Sequence, residues 1–187
     1  MKHIFRKIVV FIALFAISGC AKKLDQSALP VGTKTGDIYY SQVALYYEKG
    51  RHLTTNYRRG IFLPINSQVV LLDINTKHIE LEVLPAHSKL RIENIEKHTG
   101  DSTTQAFAKL FAKNKVELSK FTELEREKIL AGKAAKGMSK KAVIAALGYP
   151  PITETPSLSA NQWTYWASRF DRFLVNFEND KVSRVQD

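Results

Sequence analysis

Gly137-Met138-Ser139-Lys140-Lys141-Ala142-Val143-Ile144-Ala145-Ala146-Leu147-Gly148-Tyr149-Pro150 reads as one short helix with both ends marked. Ser139 suits the N-cap, because its hydroxyl accepts an otherwise unpaired backbone N–H of the first turn. Val143, Ile144 and Leu147 gather on one apolar face. Gly148 falls where a left-handed residue ends a helix, and Pro150 cannot extend it. A helix this short does not hold itself together in water and must pack on something else in the chain.

That surface follows in sequence. Trp163, Tyr165 and Ala167 share one strand face, and Thr164 and Trp166 the other. Phe173, Val175 and Phe177 alternate with Leu174, Asn176 and Glu178. Asn179-Asp180 makes a hairpin turn, and Val182 and Val185 lie on the returning strand. Upstream, Thr122-Glu123-Leu124-Glu125 is a capping box that opens a helix running to about residue 131. Residues 117–187 therefore predict two helices on a three-stranded antiparallel sheet, an α+β layer arrangement.

Residues 37–116 predict a small β domain with a trailing helix. Ile38, Tyr40, Val43, Leu45 and Tyr47 form a β-prone run, followed by a polar loop over 48–59. Segments 60–64, 68–74, 78–84 and 89–95 are four more strands separated by turn residues, which suggests an SH3-like barrel or a rolled sheet. Ile79, Leu81 and Val83 alternate with His78, Glu80 and Glu82, so one face is buried and one wet. Ser102-Thr103-Thr104-Gln105 caps a helix predicted over 101–114, with Phe107, Leu110 and Phe111 on one face.

The first residues are of another kind. Lys2, Arg6 and Lys7 precede an apolar run over 8–17 that is too short to span a bilayer as a stable helix. Small residues Ser18 and Gly19 then lead to Cys20. Residues 1–19 read as a secretory signal, and Ile17-Ser18-Gly19-Cys20 resembles a bacterial lipobox whose cysteine carries the lipid. Cys20 is the only cysteine, so lipidation uses the one thiol, and neither a disulfide nor a thiolate metal site remains. Residues 20–36 read as the lipidated tether, broken by Pro30 and Gly32. Removing the signal takes three of the 28 basic residues and none of the 18 acidic ones, which leaves about +7. That balance suits anionic headgroups or the cell wall. Export argues against nucleic acid as a partner.

Gly137-Met138-Ser139, Val143, Leu147-Gly148-Tyr149-Pro150, Trp163-Thr164-Tyr165, Val175-Asn176-Phe177 and Val182 together resemble the SmpA/OmlA (BamE-like) family of outer-membrane lipoproteins. The resemblance covers about residues 120–187. It implies a helix-helix-three-strand fold, a periplasm-facing position at the outer membrane, no enzymatic activity and a scaffolding role, with the β-barrel assembly machine as a possible partner. The matching residues are core and turn residues, so they carry a fold across and not a binding site. The family pattern also lacks the β domain that precedes it here.

Catalytic patterns are sparse. Gly132-Lys-Ala-Ala-Lys-Gly137-Met138-Ser139 half-matches a phosphate-binding loop but has Met138 where the lysine is required. His52, His78, His87 and His98 show no metal-site spacing and read as surface residues. Glu80 and Glu82 read as a solvated strand face. No catalytic residue, cofactor or metal is expected. Two clusters stand out as binding candidates. Arg51, His52, Tyr57, Arg58 and Arg59 crowd one polar loop, where arginine forks suit carboxylates or phosphates and a tyrosine ring suits a sugar. Trp166, Arg169 and Arg172 form the second, with Trp166 on the strand face opposite Trp163; either it contributes to an interface or the two helices cover it. The expectation is an accessory scaffold of the envelope, or else a module that binds peptidoglycan or lipopolysaccharide through the basic loop.

Overall fold

A computed structural model describes residues 24 and 29–186. The expected signal, Cys20 and residues 21–23 and 25–28 of the expected tether lie outside the described residues. The chain is mixed α+β. Strands β1 (Ile38–Ser41), β2 (Leu45–Tyr47), β3 (Arg51–Leu53), β4 (Ile61–Leu63), β5 (Gln68–Ile74), β6 (His78–Val83) and β7 (Ser88–Glu93) come first. Then follow α1 (Glu96–Thr99), α2 (Thr103–Leu110), β8 (Phe111–Ala112), a 3-10 turn (Leu118–Lys120), α3 (Glu123–Leu130) and α4 (Lys140–Leu147). The chain closes with β9 (Gln162–Trp166), β10 (Arg172–Glu178) and β11 (Lys181–Gln186).

Three sheets result. A curled six-stranded sheet has the order β3-β7-β6-β5-β1-β8, β2 pairs with β4, and the last sheet runs β11-β10-β9. In the large sheet only β3 runs parallel to its neighbour, β7. The alternation read in β6 is realised, with Ile79 and Leu81 fully buried and Val83 nearly so. They join Leu71, Leu90, Ile92, Phe107 and Phe111 in a first core.

Two local expectations change. The helix over 101–114 keeps its capping box, Ser102 with Gln105, but ends at Leu110. The next two residues extend and pair with Tyr40 and Ser41. The unpaired edge of β1 supplies hydrogen-bond partners there, and Phe111 stays in the core, stacked on Phe107 at 5.7 Å. The end of the expected tether also lies on the body: Leu29 is buried in the first core, and the Gly36 N–H donates to the Leu71 carbonyl at 2.7 Å.

The second core holds Ile129, Met138, Val143, Leu147, Trp163, Tyr165, Val175, Phe177 and Val182, contributed by α3, α4 with the turn before it, and β9–β11. Helix α4 is capped by Ser139, whose hydroxyl accepts the Ala142 N–H at 3.3 Å. Ala142, Ala145 and Ala146 are buried beside Val143 and Leu147, so α4 is enclosed on more than one face. Ile144 packs against both cores, and the Ala44 N–H reaches the Ala145 carbonyl at 2.9 Å. This helix joins the two halves of the molecule. Ser139→Ala is expected to cost about 1 kcal/mol in urea denaturation, the usual loss for an N-cap. A change below a few tenths would show that the cap is dispensable here.

Glu125 ties α3 to α4. Its Oε2 accepts the Thr122 N–H at 3.0 Å, and its Oε1 accepts the Ser139 N–H at 2.8 Å. Burial alone would raise this carboxyl. The hydrogen bonds from Ser139 and Thr122, with Lys181 nearby, overcome that and hold it at about 2.

Candidate functional site: a basic and aromatic groove

Residues 48–59 are not one loop. Glu48 and Arg51 exchange backbone hydrogen bonds of 2.9 and 3.0 Å around a tight turn in which Lys49 and Gly50 have positive φ. Arg51 and His52 then enter β3 at the edge of the large sheet. Nothing in three residues of mixed character announces this strand; its pairing with β7 is a long-range contact.

The five basic-loop candidates separate. His52 is buried, not on the surface, and its Nδ1–H donates to the Tyr46 carbonyl at 2.8 Å. Arg58 is half-buried and occupied. One guanidinium nitrogen donates to the Leu147 carbonyl at 3.1 Å, another donates to the Gly132 carbonyl, and the group lies 4.7 Å over the Tyr46 ring. It serves the orphan Leu147 carbonyl at the C-terminus of α4, where a cation also complements the helix dipole, and ties it to the turn that follows α3. Both residues therefore leave the list of ligand contacts and become structural.

Arg51, Tyr57 and Arg59 remain, and Arg169 of the other cluster joins them. All four line one open groove of about 470 Å³. Tyr46, Glu48, Lys49 and Leu53 complete its walls. The hairpin loop between β9 and β10 carries Arg169 to this place. It is closed by the Ser168 hydroxyl on the Asp171 carboxylate at 2.6 Å and leaves Phe170 82% exposed beside Arg169.

Trp166 and Arg172 stand behind the groove. Tyr57 stacks on Trp166 with centroids 5.6 Å apart and planes 16° apart. His98 meets the same indole edge-on at 5.0 Å, and the Arg172 guanidinium lies 5.1 Å above it while hydrogen-bonded to Glu154. Trp166 is thus half-buried, and the groups on it are Tyr57, His98 of α1 and Arg172, not the two helices α3 and α4. Its place is to brace Tyr57.

The groove is electropositive. Arg51 is forked onto Glu93 at 2.9 and 2.7 Å, and Arg59 reaches Glu48 at 3.4 Å. Each of these arginine side chains is 58% exposed. Ion pairs this exposed are worth about 0–1 kcal/mol and exchange readily for an incoming carboxylate or phosphate. Lys49 and Arg169 have no ion pair among the described residues. Four cations and two tyrosine rings thus face one channel with a single carboxylate of its own, Glu48. Tyr46 and Lys49 were not singled out from sequence: Lys49 stood in the right run, but Tyr46 read as an ordinary strand residue.

No family model matches this chain, no curated protein matches it, and no solved structure matches it. Among the described residues no group of three or more His, Cys, Asp or Glu is placed to hold a metal ion, and no helix is long and apolar enough to cross a membrane.

Proposed function

We propose that this protein is a non-enzymatic lipoprotein of the outer membrane, anchored through Cys20 and facing the periplasm. It acts as an accessory scaffold in envelope assembly or maintenance. A β unit over 37–116, SH3-like or rolled, and a SmpA/OmlA-like unit over 117–187 form its framework. The observation that carries a docking role is the groove. Arg51 and Arg59 from the first unit and Arg169 from the second line one channel, with Phe170 exposed at its side. An acidic protein face with an apolar contact beside it fits that pattern, since arginine and aromatic side chains dominate the binding energy of protein interfaces. The β-barrel assembly machine is the partner that the family resemblance suggests.

A second reading has its own support. Tyr46 and Tyr57 line the same channel as the cations, an arrangement suited to a sugar ring bearing phosphate or carboxylate. In this reading the groove holds lipopolysaccharide or peptidoglycan.

The double variant Arg59→Glu/Arg169→Glu tests both readings. Chemical cross-linking and mass spectrometry of the lipidated protein are expected to recover an acidic envelope partner from the parent chain and at least tenfold less from the variant. The variant's urea midpoint is expected to stay close to the parent value, because only exposed charges change. Undiminished recovery of the same partners from the variant refutes docking in the groove. Co-sedimentation of the Cys20→Ala protein with purified cell wall or lipopolysaccharide, lost in the double variant, selects the second reading. Absence of fatty-acid labelling at Cys20 refutes the anchor.

A further inference from the structure

Little chain separates Cys20 from the folded body. Leu24 packs half-buried against the first core, and Leu29 is buried in it. Cys20 precedes Leu24 by four residues, which span about 14 Å at full extension. A lipidated cysteine sits at headgroup level, so the body cannot stand far off and part of its surface is held against the membrane. From Leu29 onward the chain is fixed. The Lys34 N–H donates to the Tyr39 hydroxyl at 2.7 Å, and that hydroxyl donates to the Lys34 carbonyl at 3.1 Å. The Gly36 N–H donates to the Leu71 carbonyl at 2.7 Å and the Leu71 N–H to the Asp37 carbonyl at 3.1 Å, so residues 36 and 37 continue β1 along β5.

At this junction the wet face of the large sheet turns apolar. Ile38 lies opposite Val70, and Leu72, two residues further along β5, is its diagonal neighbour. Ile38 and Leu72 are exposed, and Val31, on the turn that leads into β1, is wholly so. A single exposed aliphatic needs no explanation, but a group of them at one place does. Across the same face Val70 pairs with Glu82 and Glu82 with Lys89, and the surface becomes charged. Lysines border the apolar corner. Lys113 lies on the Asp37 carboxylate at 2.6 Å, and its hydrogen bond, with Lys34 nearby, holds that carboxyl below its usual range. Lys115 stands 5.3 Å over the ring of Tyr40, which shares the strand face of Ile38. Helix α3 also exposes Leu124 and Leu130, but Glu123 and Glu127 stand exposed between them in the sequence, which an anionic surface repels.

Given the lipid assigned to Cys20, we propose that this corner, with Val31, Ile38 and Leu72 among Lys34, Lys113 and Lys115, is the face that rests on the anchoring phospholipid membrane. The aliphatic side chains enter the headgroup boundary. The lysine stems lie along them and carry the ammonium groups to the lipid phosphates. So small a contact does not hold a membrane by itself; the acyl anchor supplies the effective concentration that keeps it engaged. Strand β3, which carries Arg51 of the groove, is separated from β1 by β7, β6 and β5 in the sheet. The groove therefore stays open to a partner while the corner is occupied.

The test places an environment-sensitive fluorophore on Ile38→Cys, Leu72→Cys or, as the control in the groove, Lys49→Cys. The lipidated protein is reconstituted in vesicles of phosphatidylethanolamine and phosphatidylglycerol. Cys20 is the only native cysteine, so once lipidated it leaves the introduced thiol as the sole point of labelling. The probes at 38 and 72 are expected to brighten by about twofold or more on reconstitution and to be quenched by nitroxide-bearing lipids, and the probe at 49 to do neither. Probes at 38 and 72 that stay as wet as the one at 49 overturn the corner and leave the anchor standing. Labelling of the parent chain, which has no introduced cysteine, shows a free Cys20 thiol and overturns both. Lysine acetylation of the unlabelled chain, read by mass spectrometry, keeps the fluorophore's own affinity for lipid out of the answer. Lys34 and Lys115 are expected to react about threefold more slowly in vesicles than in the soluble Cys20→Ala protein, with Lys49 unchanged. Equal rates at Lys34 and Lys115 in the two settings overturn the corner.

Discussion

Gly148→Ala is expected to lower the unfolding free energy by about 4 kcal/mol, most of the stability of a marginal domain. Gly148 has φ 78° and ψ −170°, a backbone region that only glycine occupies at ease, and forcing another residue there costs about 1–3 kcal/mol. Space adds to strain. A Cβ at this position would stand 2.8 Å from Nδ2 of Asn56. That nitrogen cannot retreat without releasing the Leu147 and Tyr149 carbonyls, each hydrogen bond worth about 1 kcal/mol. The Gly148 carbonyl also accepts the buried Tyr165 hydroxyl at 3.0 Å, so a shifted backbone loses that bond too. Gly36→Ala is the comparison. It has φ 84° but nothing within 4 Å of the new methyl, so only the backbone cost of about 1 kcal/mol is expected. Urea denaturation of both variants checks the difference. Equal losses would show that Asn56 yields freely and that its cap on α4 matters little.

Acid is expected to unfold the protein in two overlapping steps. His52 is held at about 4 against 6.5 in the unfolded chain. Between those values the unfolded state takes up a proton that the folded state refuses, so stability falls as the pH drops from 6.5 to 4, by about 3 kcal/mol. Glu125 is held at about 2 against 4.5 in the unfolded chain. Its hydrogen bonds to Thr122 and Ser139 stabilise the fold above pH 4.5 and are lost progressively toward pH 2, again by about 3 kcal/mol in all. From pH 7 to pH 3 the two together remove about 5 kcal/mol, enough to unfold a protein of ordinary stability. Urea midpoints across this range read the effect. His52→Gln is expected to flatten the upper part of the curve and Glu125→Gln the lower part. A wild-type curve that is flat between pH 6.5 and 4.5 would mean that His52 is not held neutral in the folded state.

Much of the C-terminal half was legible in sequence because its signals are local. Thr122 with Glu125, Ser139, Gly148 and Asn179-Asp180 are each a cap or a turn whose chemistry is complete within a few residues, and each stands where it was read. The period-two alternations of β6 and β9 placed Ile79, Leu81, Trp163 and Tyr165 inward for the same reason. The helix predicted to 114 failed at Phe111, where a neighbouring strand edge outweighed helix periodicity. Strand β3 was missed because its support is a parallel pairing with β7, about forty residues away in the chain.

The candidate site divides along the same line. Sequence alone determined that arginines and aromatics are concentrated at 51–59 and 166–172, that Trp163 and Trp166 face opposite ways, and that Ser139 and Gly148 bound the helix between them. It also carries the signal-like run and the cysteine on which the proposed localisation rests. Tertiary structure decided which of those residues are free. It buried His52, committed Arg58 to the end of α4, leaned Tyr57 on Trp166, and brought Arg51, Arg59 and Arg169 to one groove. Residue type sets what a side chain can bind. Whether it is available depends on which orphan backbone groups the packed elements leave nearby, and those arise only when distant segments meet.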